Sequence, residues 1–403
     1  MPNHRHLIDQ VARLTEIATD SPHLAHQESK TASLAHQKQM VGGIPESELT
    51  TLGKGIAVAA NLDPSKEVFV RQGPGSRGTW PLATLAHRVL ARARVDGPEK
   101  ALEDFIEALA VNRTEVMQVA PIWGLRFKDV IQIDQDLFLY PWGKLPRSSV
   151  SETVDNWHQK VRPSAAIVRK ISIGPVVSQD ESFGGRNRTP DRTPIESAVL
   201  CCTLVTDKAV AIVAEWYQGG EDDLLVPDVI GGYSFPAMVH DHQFEVTDDP
   251  VEEQAIQPLI KGYFNLKGKA NKRASIALRR VNESKSRTLT EDVALDLGIA
   301  LEALLFPQQE GEISYKLRMR GAFLASNDPT RRKEVYNLLN SFYGLRSKSA
   351  HGDLIEQSDA SDKLRLTRDL VIELTKKVIL HGSFPDESYT DAFLGVKPLD
   401  ISS

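Results

Sequence analysis

Arg346 and His351 stand five residues apart in the stretch Tyr343-Gly344-Leu345-Arg346-Ser347-Lys348-Ser349-Ala350-His351-Gly352, separated by four small or polar residues. A histidine titrates near neutral pH and can move a proton to or from a ribose hydroxyl, while a guanidinium presents fixed donors to a phosphate that gains charge during in-line attack. Such a pair can cut RNA, and neither member needs a metal. In an unbroken α-helix a five-residue step turns two side chains apart by about 140°. The pair therefore meets on one phosphate in one of two ways. Either the helix loosens between Ser347 and His351, which Gly352 at a natural C-terminal position favours, or a second copy of the motif completes the site. A structural role competes with the chemistry. An arginine near a helix C-terminus complements the dipole, and a histidine before glycine caps exposed carbonyls.

The elements that must position this pair are helical. Val335, Leu338, Leu339, Phe342 and Leu345 recur at helical spacing in the segment leading into the motif. Upstream, Thr290 is placed as an N-cap, with Glu291 and Asp292 in the first turn where they complement the dipole. Leu297, Ala300, Leu301, Leu304 and Leu305 then form an apolar stripe that ends at Phe306-Pro307. Leu366, Leu370, Leu374 and Val378 form the stripe of a last helix. No such helix can bury its stripe alone, so together they predict a bundle. Glu302 sits among apolar residues and is expected to pair with Arg318, Arg320 or Arg346 inside that bundle.

Three stretches carry a family resemblance: EDVALDLGIALEALLF at Glu291 to Phe306, YKLRMRGAFLA at Tyr315 to Ala325, and RRKEVYNLLNSFYGLRSKSAHG at Arg331 to Gly352. Together they resemble an Apea-type HEPN domain over roughly Ala277 to Leu380, ALEALL and LRSKxxHG being the core words. The resemblance implies an all-helical module with an R-x4-6-H motif, metal-independent ribonuclease activity, a role in antiphage defence, and pairing of two HEPN subunits around a shared cleft. It also implies that His351 is general base or acid toward the 2′-hydroxyl and the leaving oxygen, and that Arg346 stabilises the charged phosphorane. Ser347 departs from the more strongly polar Asn, Asp or His common at that position, and Lys348 can add a phosphate contact. The alternative is a HEPN fold that dimerises and binds RNA or a nucleotide without cleaving. The first 270 or so residues carry no family resemblance.

Charge divides the chain. The net charge of −6 hides a balance of 22 Lys and Arg against 15 Asp and Glu between Ile256 and Pro385, and 26 against 39 elsewhere. A basic C-terminal part beside an acidic partner part is compatible with RNA reaching only the former. Between Lys267 and Arg287 eight cations face the single acid Glu283. Of these, Lys272, Arg273, Arg279 and Arg280 form a candidate RNA-facing edge, although a charge run also suits a solvated helix face.

The rest of the chain reads as α+β, a mixed helical and β-strand region followed by the all-α bundle. Residues 1–112 are mainly helical, 113–250 β-rich, 251–385 the HEPN-like bundle and 386–403 a tail. The short Val/Ile-rich runs Val116 to Trp123, Val130 to Tyr140, Ala165 to Val177, Ala198 to Val205 and Ala209 to Trp216 predict strands. Arg71 to Pro81 is read as a loop; its glycine spacing lacks the Lys-Ser/Thr ending of a phosphate-binding loop. Ser182 to Pro194 is read as a solvated insertion. The only two cysteines, Cys201 and Cys202, are adjacent. On a strand they point to opposite faces, so they are expected to be reduced. His240-Asp241-His242 puts two imidazoles on one face of a strand, an incomplete metal site with no third ligand identifiable. No metal or cofactor is therefore implied. With 41% apolar residues, no run near the roughly 20 of a membrane span and no signal-peptide core, the sequence points to a cytoplasmic protein that responds to a phage-derived or cellular trigger through its N-terminal region.

Overall fold

A computed structural model describes residues 4–18, 43–73, 76–157, 163–181, 191–219, 225, 230–234, 249–306, 313–351, 357–386 and 388–399. The protein is α+β, with strands in its N-terminal part and helices in its C-terminal part. Helices α1 (Arg5–Ala18), α2 (Glu46–Ala59), α3 (Leu82–Asp96) and α4 (Pro98–Val111) form the N-terminal layer. On α4, Leu102, Phe105 and Leu109 form a buried stripe, with Ile106 partly buried beside it. Pro98 at the first turn and Asn112 in a left-handed C-cap bound this helix as the capping rules require.

Arg71 to Pro81 is not the loop that its glycines predict. Strands β1 (Val68–Gly73) and β2 (Ser76–Trp80) pair as an antiparallel hairpin, and β7 (Val177–Ser178) extends it on the other side of β1. Val68, Val70 and Trp80 are buried in the N-terminal core. Tertiary burial of alternate residues thus overrides the turn composition of the tip.

The larger sheet is antiparallel in the order β10-β9-β3-β6-β5-β4, with β8 also on β3. Its strands are β3 (Thr114–Trp123), β4 (Ile131–Gln132), β5 (Leu137–Pro141), β6 (Ala165–Ile173), β8 (Ala211–Ile212), β9 (Glu215–Gly219) and β10 (Ile230–Ser234). The long pairing of β3 with β6 runs from Thr114 opposite Ile173 to Ile122 opposite Ala165. One face carries Val119, Trp123, Val168 and Trp216 under α5 (Ser149–Trp157) and Trp142. The expected Val130 to Tyr140 strand is broken by a turn in which the Asp134 carboxylate accepts from the amides of Asp136 and Leu137.

Ala198 to Val205 is not a strand. Its first part lies on α6 (Thr193–Cys202), and Cys201 and Cys202 are buried, reduced helix residues whose thiols burial pushes upward, Cys202 to about 12. A short apolar run cannot separate a buried strand from a buried helix by periodicity. Here Pro194 in the first turn is the local cue for a helix.

From Glu253 onward the described residues are mainly helical: α7 (Glu253–Asn265), α8 (Gly268–Ser286), α9 (Thr290–Leu305), α10 (Ile313–Ala325), α11 (Pro329–His351), α12 (Gln357–His381) and α13 (Tyr389–Phe393). Thr290 is the first helical residue of α9 and not its cap; Leu289 precedes it and no side chain caps the end. The α9 stripe is fully buried, and around it pack Leu317 and Leu324 of α10, Val335, Leu339 and Phe342 of α11, and Leu370, Leu374 and Val378 of α12. Leu366 departs from its expected place and is exposed, since Leu364, Thr367 and Val371 supply the inward positions of that part of α12.

The apolar packing crosses the boundary at 250/251. Ile256, Leu259, Ile260 and Tyr263 of α7 and Ala274 and Leu278 of α8 share one core with Ile122, Ile167 and Leu139 of the sheet. The side-chain amide of Asn282 bridges both main-chain groups of Val210 at 2.7 and 2.8 Å, so α8 is fastened to the β-rich part as well as to the bundle.

Candidate functional site

Arg346 and His351 lie on one continuous helix, because α11 runs unbroken from Pro329 to His351. The described backbone does not loosen between Ser347 and His351, so the five-residue step retains its divergence of about 140°. Gly352 and the His351 side chain lie outside the described residues. Within one chain, then, the backbone at these two positions projects away from a common point.

Arg346 is held against α9. Its Nη2 donates to Glu302 Oε1 at 3.0 Å, both side chains being about one-third exposed. A partly exposed ion pair of this kind contributes modestly to stability, so its main effect is on orientation. Gly298, one turn before Glu302, makes room for the stem: a Cβ built there would stand 2.9 Å from Arg346 Cγ. Tyr343, one turn earlier on α11, places its ring 5.8 Å from the guanidinium. Arg346 Nε is buried without a hydrogen-bond partner against Gly298 and is closed to a ligand, so the partly exposed end of the guanidinium is the part a ligand can reach. Of the three expected partners of Glu302, the structure selects Arg346. Arg318 turns to Ser314 and Asn340, and Arg320 caps α9 through the Leu305 carbonyl. Lys348 is exposed, Ser347 half-buried, and Ser349 returns its hydroxyl to the Leu345 carbonyl.

The candidate RNA edge on α8 divides. Arg273 donates to the carbonyls of Ala303 and Leu304 at 2.9 and 2.8 Å, pairs with Asp386 and stacks on Phe384. It is a cap for α9, and its guanidinium is engaged with these groups. Arg280 is likewise turned to Glu283 and to the buried carboxylate of Asp296, which Arg287 also reaches. Lys285 is more deeply enclosed. Its ammonium donates to the carbonyls of Thr203 and Thr206, and desolvation, with Arg368 nearby, pulls its pKa down to about 7. Only Lys272 and Arg279 of the four candidates are exposed.

The missed signal is the capping function of the basic run. A row of cations following the start of one helix says nothing about the carbonyl ends of neighbouring elements, which α8 satisfies with Arg273 and Lys285. His240-Asp241-His242 and most of Ser182 to Pro194 lie outside the described residues. Among the described residues no group of three or more His, Cys, Asp or Glu side chains is placed to hold a metal ion, and no helix is long and apolar enough to cross a membrane.

No family model, curated protein or solved structure matches this chain.

Proposed function

We propose that the protein is a metal-independent endoribonuclease of the HEPN type, in which His351 transfers protons and Arg346 stabilises the phosphorane. The observation that carries this reading is the seat of Arg346: a motif guanidinium oriented by Glu302 and Gly298 of a packed neighbouring helix and still partly exposed. Preorganised donors aimed at developing charge are the largest electrostatic contribution an active site makes. In the proposed reaction the 2′-hydroxyl loses its proton to a base and attacks the adjacent phosphorus. The 5′-oxygen leaves with a proton from an acid, and the products are a 2′,3′-cyclic phosphate and a 5′-hydroxyl. His351 serves in one of these proton transfers, and Lys348 adds a phosphate contact.

The continuity of α11 favours completion of the site by a second copy of the motif, so we further propose a homodimer through the bundle. By resemblance alone, the setting is cytoplasmic antiphage or abortive-infection defence, with the N-terminal region receiving a trigger. Incubation with total RNA in the presence of chelator, followed by sequencing of the cut ends, tests the reaction. Ends bearing 5′-phosphates, formed only with Mg²⁺, would remove 2′-hydroxyl attack. Light scattering that finds a monomer at concentrations where RNA is still cut would remove the shared site.

The Glu302 contact also favours a second reading. A carboxylate already on Arg346 competes with phosphate, as it would in a non-catalytic HEPN module that dimerises and binds RNA or a nucleotide. Retained dimerisation with no cleavage by the wild-type protein would support that reading.

A further inference from the structure

The turn that follows α6 is held to the bundle by two side chains of α8. Asn282 and Lys285 stand three residues apart, on one face of that helix. Asn282 accepts from the Val210 amide and donates to the Val210 carbonyl, at 2.7 and 2.8 Å. The Lys285 amine donates to the carbonyls of Thr203 and Thr206 and to Thr203 Oγ1, the latter two at 2.6 and 3.1 Å. On its sheet side the turn is anchored by the Thr206 hydroxyl, which donates to the Gly124 carbonyl at 2.8 Å just beyond β3. On the bundle side Arg368 of α12 donates to the carbonyl and hydroxyl of Ser284, the neighbour of Lys285, at 2.8 and 3.1 Å. Residues 203–210 are thus fastened between sheet and bundle, with one amine at the fastening point.

The three oxygens that Lys285 meets are all neutral. An enclosed ammonium with neutral partners loses hydration that no counter-charge replaces. Of the charged groups facing it, Arg368 and Lys376 of α12 oppose its charge, while Asp207 of the turn and Asp369 of α12 favour it. Both carboxylates are largely exposed, and each meets another cation, Asp207 with Lys208 at 3.5 Å and Asp369 with Arg365 at 3.6 Å. Desolvation prevails and, with Arg368, draws the amine down to about 7. Hydrogen bonding alone suits either protonation state. The ammonium spends three N–H groups on three oxygens, whereas the neutral amine keeps two for the carbonyls and accepts from the Thr203 hydroxyl. What separates the two states is the enclosed charge, and opening the turn to water relieves it.

We propose that Lys285 is a proton-gated latch between the β-rich part and the bundle: the neutral amine holds the turn at 203–210 closed, and proton uptake lets that turn open. In the open turn the amine returns to water and to the ordinary lysine value of 10.5. The open form therefore binds more protons between about 7 and 10.5, so closure strengthens as pH rises through that window. Below about 7 both forms are protonated and the dependence ends. From pH 7 to 8.5 the open fraction should fall about tenfold. This assignment does not rest on the ribonuclease reading.

Hydrogen exchange of the full-length protein, corrected for the intrinsic rate at each pH, reads this opening at the Val210 amide, which donates to Asn282. Its opening constant should fall about tenfold from pH 7 to 8.5 and should exceed that of amides in the β3–β6 pairing throughout. In Lys285→Met the fall should vanish. Carbon-13 NMR of the lysine side chains supplies a reading on the wild-type protein alone, in which one resonance should titrate with a midpoint near pH 7. Any of four results would overturn the latch: a pH-independent opening constant at Val210 in the wild type, an equal fall in Lys285→Met, exchange at Val210 no faster than in the β3–β6 pairing, or no lysine titrating below about pH 9.

Discussion

Helices α8 and α11 both carry an excess of cations, and the cations singled out on each are used differently. On α8 the cations are largely turned inward: Arg273 caps α9, Lys285 satisfies carbonyls beyond α6, and Arg280 meets a buried aspartate. On α11, Arg346 is oriented by a single carboxylate and keeps a buried, unpartnered Nε, while Lys348 reaches solvent. The contrast teaches that local charge density measures neither exposure nor function. A basic helix that joins two parts of a fold spends its donors on their helix ends, because buried carbonyls without partners are costly.

The strongest way to break this comparison is through α11. Replacing His351 with Ala should lower RNA cleavage about 10²–10⁴-fold, as expected for loss of a positioned proton carrier. Replacing Arg346 with Ala should cost about 10²–10³-fold. Both are read from initial rates in chelator with urea midpoints little changed, and undiminished cleavage in both variants would end the proposed role of the motif.

On α8 the effect should fall on stability. Arg273→Ala leaves two carbonyls and Asp386 without their charged donor and should cost about 2–4 kcal/mol, measured by urea denaturation. Lys272→Ala, on the same helix but exposed, should stay within about 0.5 kcal/mol. Equal effects at the two positions would abolish the distinction between inward and outward cations.

Gly298→Ala sharpens the α11 side. Alanine favours a helix by up to about 1 kcal/mol over glycine, yet its Cβ would press on the Arg346 stem. Stability should therefore change little while cleavage falls by about tenfold, since small displacements of a positioned group are costly in rate. An unchanged rate would show that the seat of Arg346 does not matter.

The last expected effect, read as a slope against pH, is the linkage of Lys285. Its folded pKa of about 7 lies below the ordinary lysine value of 10.5, so the unfolded chain binds more protons between those limits. Stability should then rise with pH from about 7 toward 10.5, and the cost of the buried charge is present in full below that window. Lys285→Met should flatten this slope; an equally steep slope in the variant would reassign it to other groups.

Much of the bundle was legible in sequence. The stripes of α9 and α11 were readable because helical periodicity reports which face must leave water, whatever that face meets. The Glu302–Arg346 contact was legible only as one of three pairings, since spacing within a helix cannot say which neighbour approaches. Cys201 and Cys202 were misplaced on a strand because a short run buried on all sides has no periodicity to read. The β1–β2 hairpin was hidden because its tip composition outweighed two short flanking strands.

The amino-acid sequence by itself determined the α+β class, the apolar faces of the bundle and the five-residue separation of Arg346 from His351, all consequences of residue type and order along one element. Only the tertiary structure decided that α11 continues through the motif, that Glu302 and Gly298 seat Arg346, and that α8 caps its neighbours. Those outcomes depend on which helix ends and faces come together. That is settled by burial and hydrogen-bond satisfaction across residues distant in sequence, a balance that no local window contains.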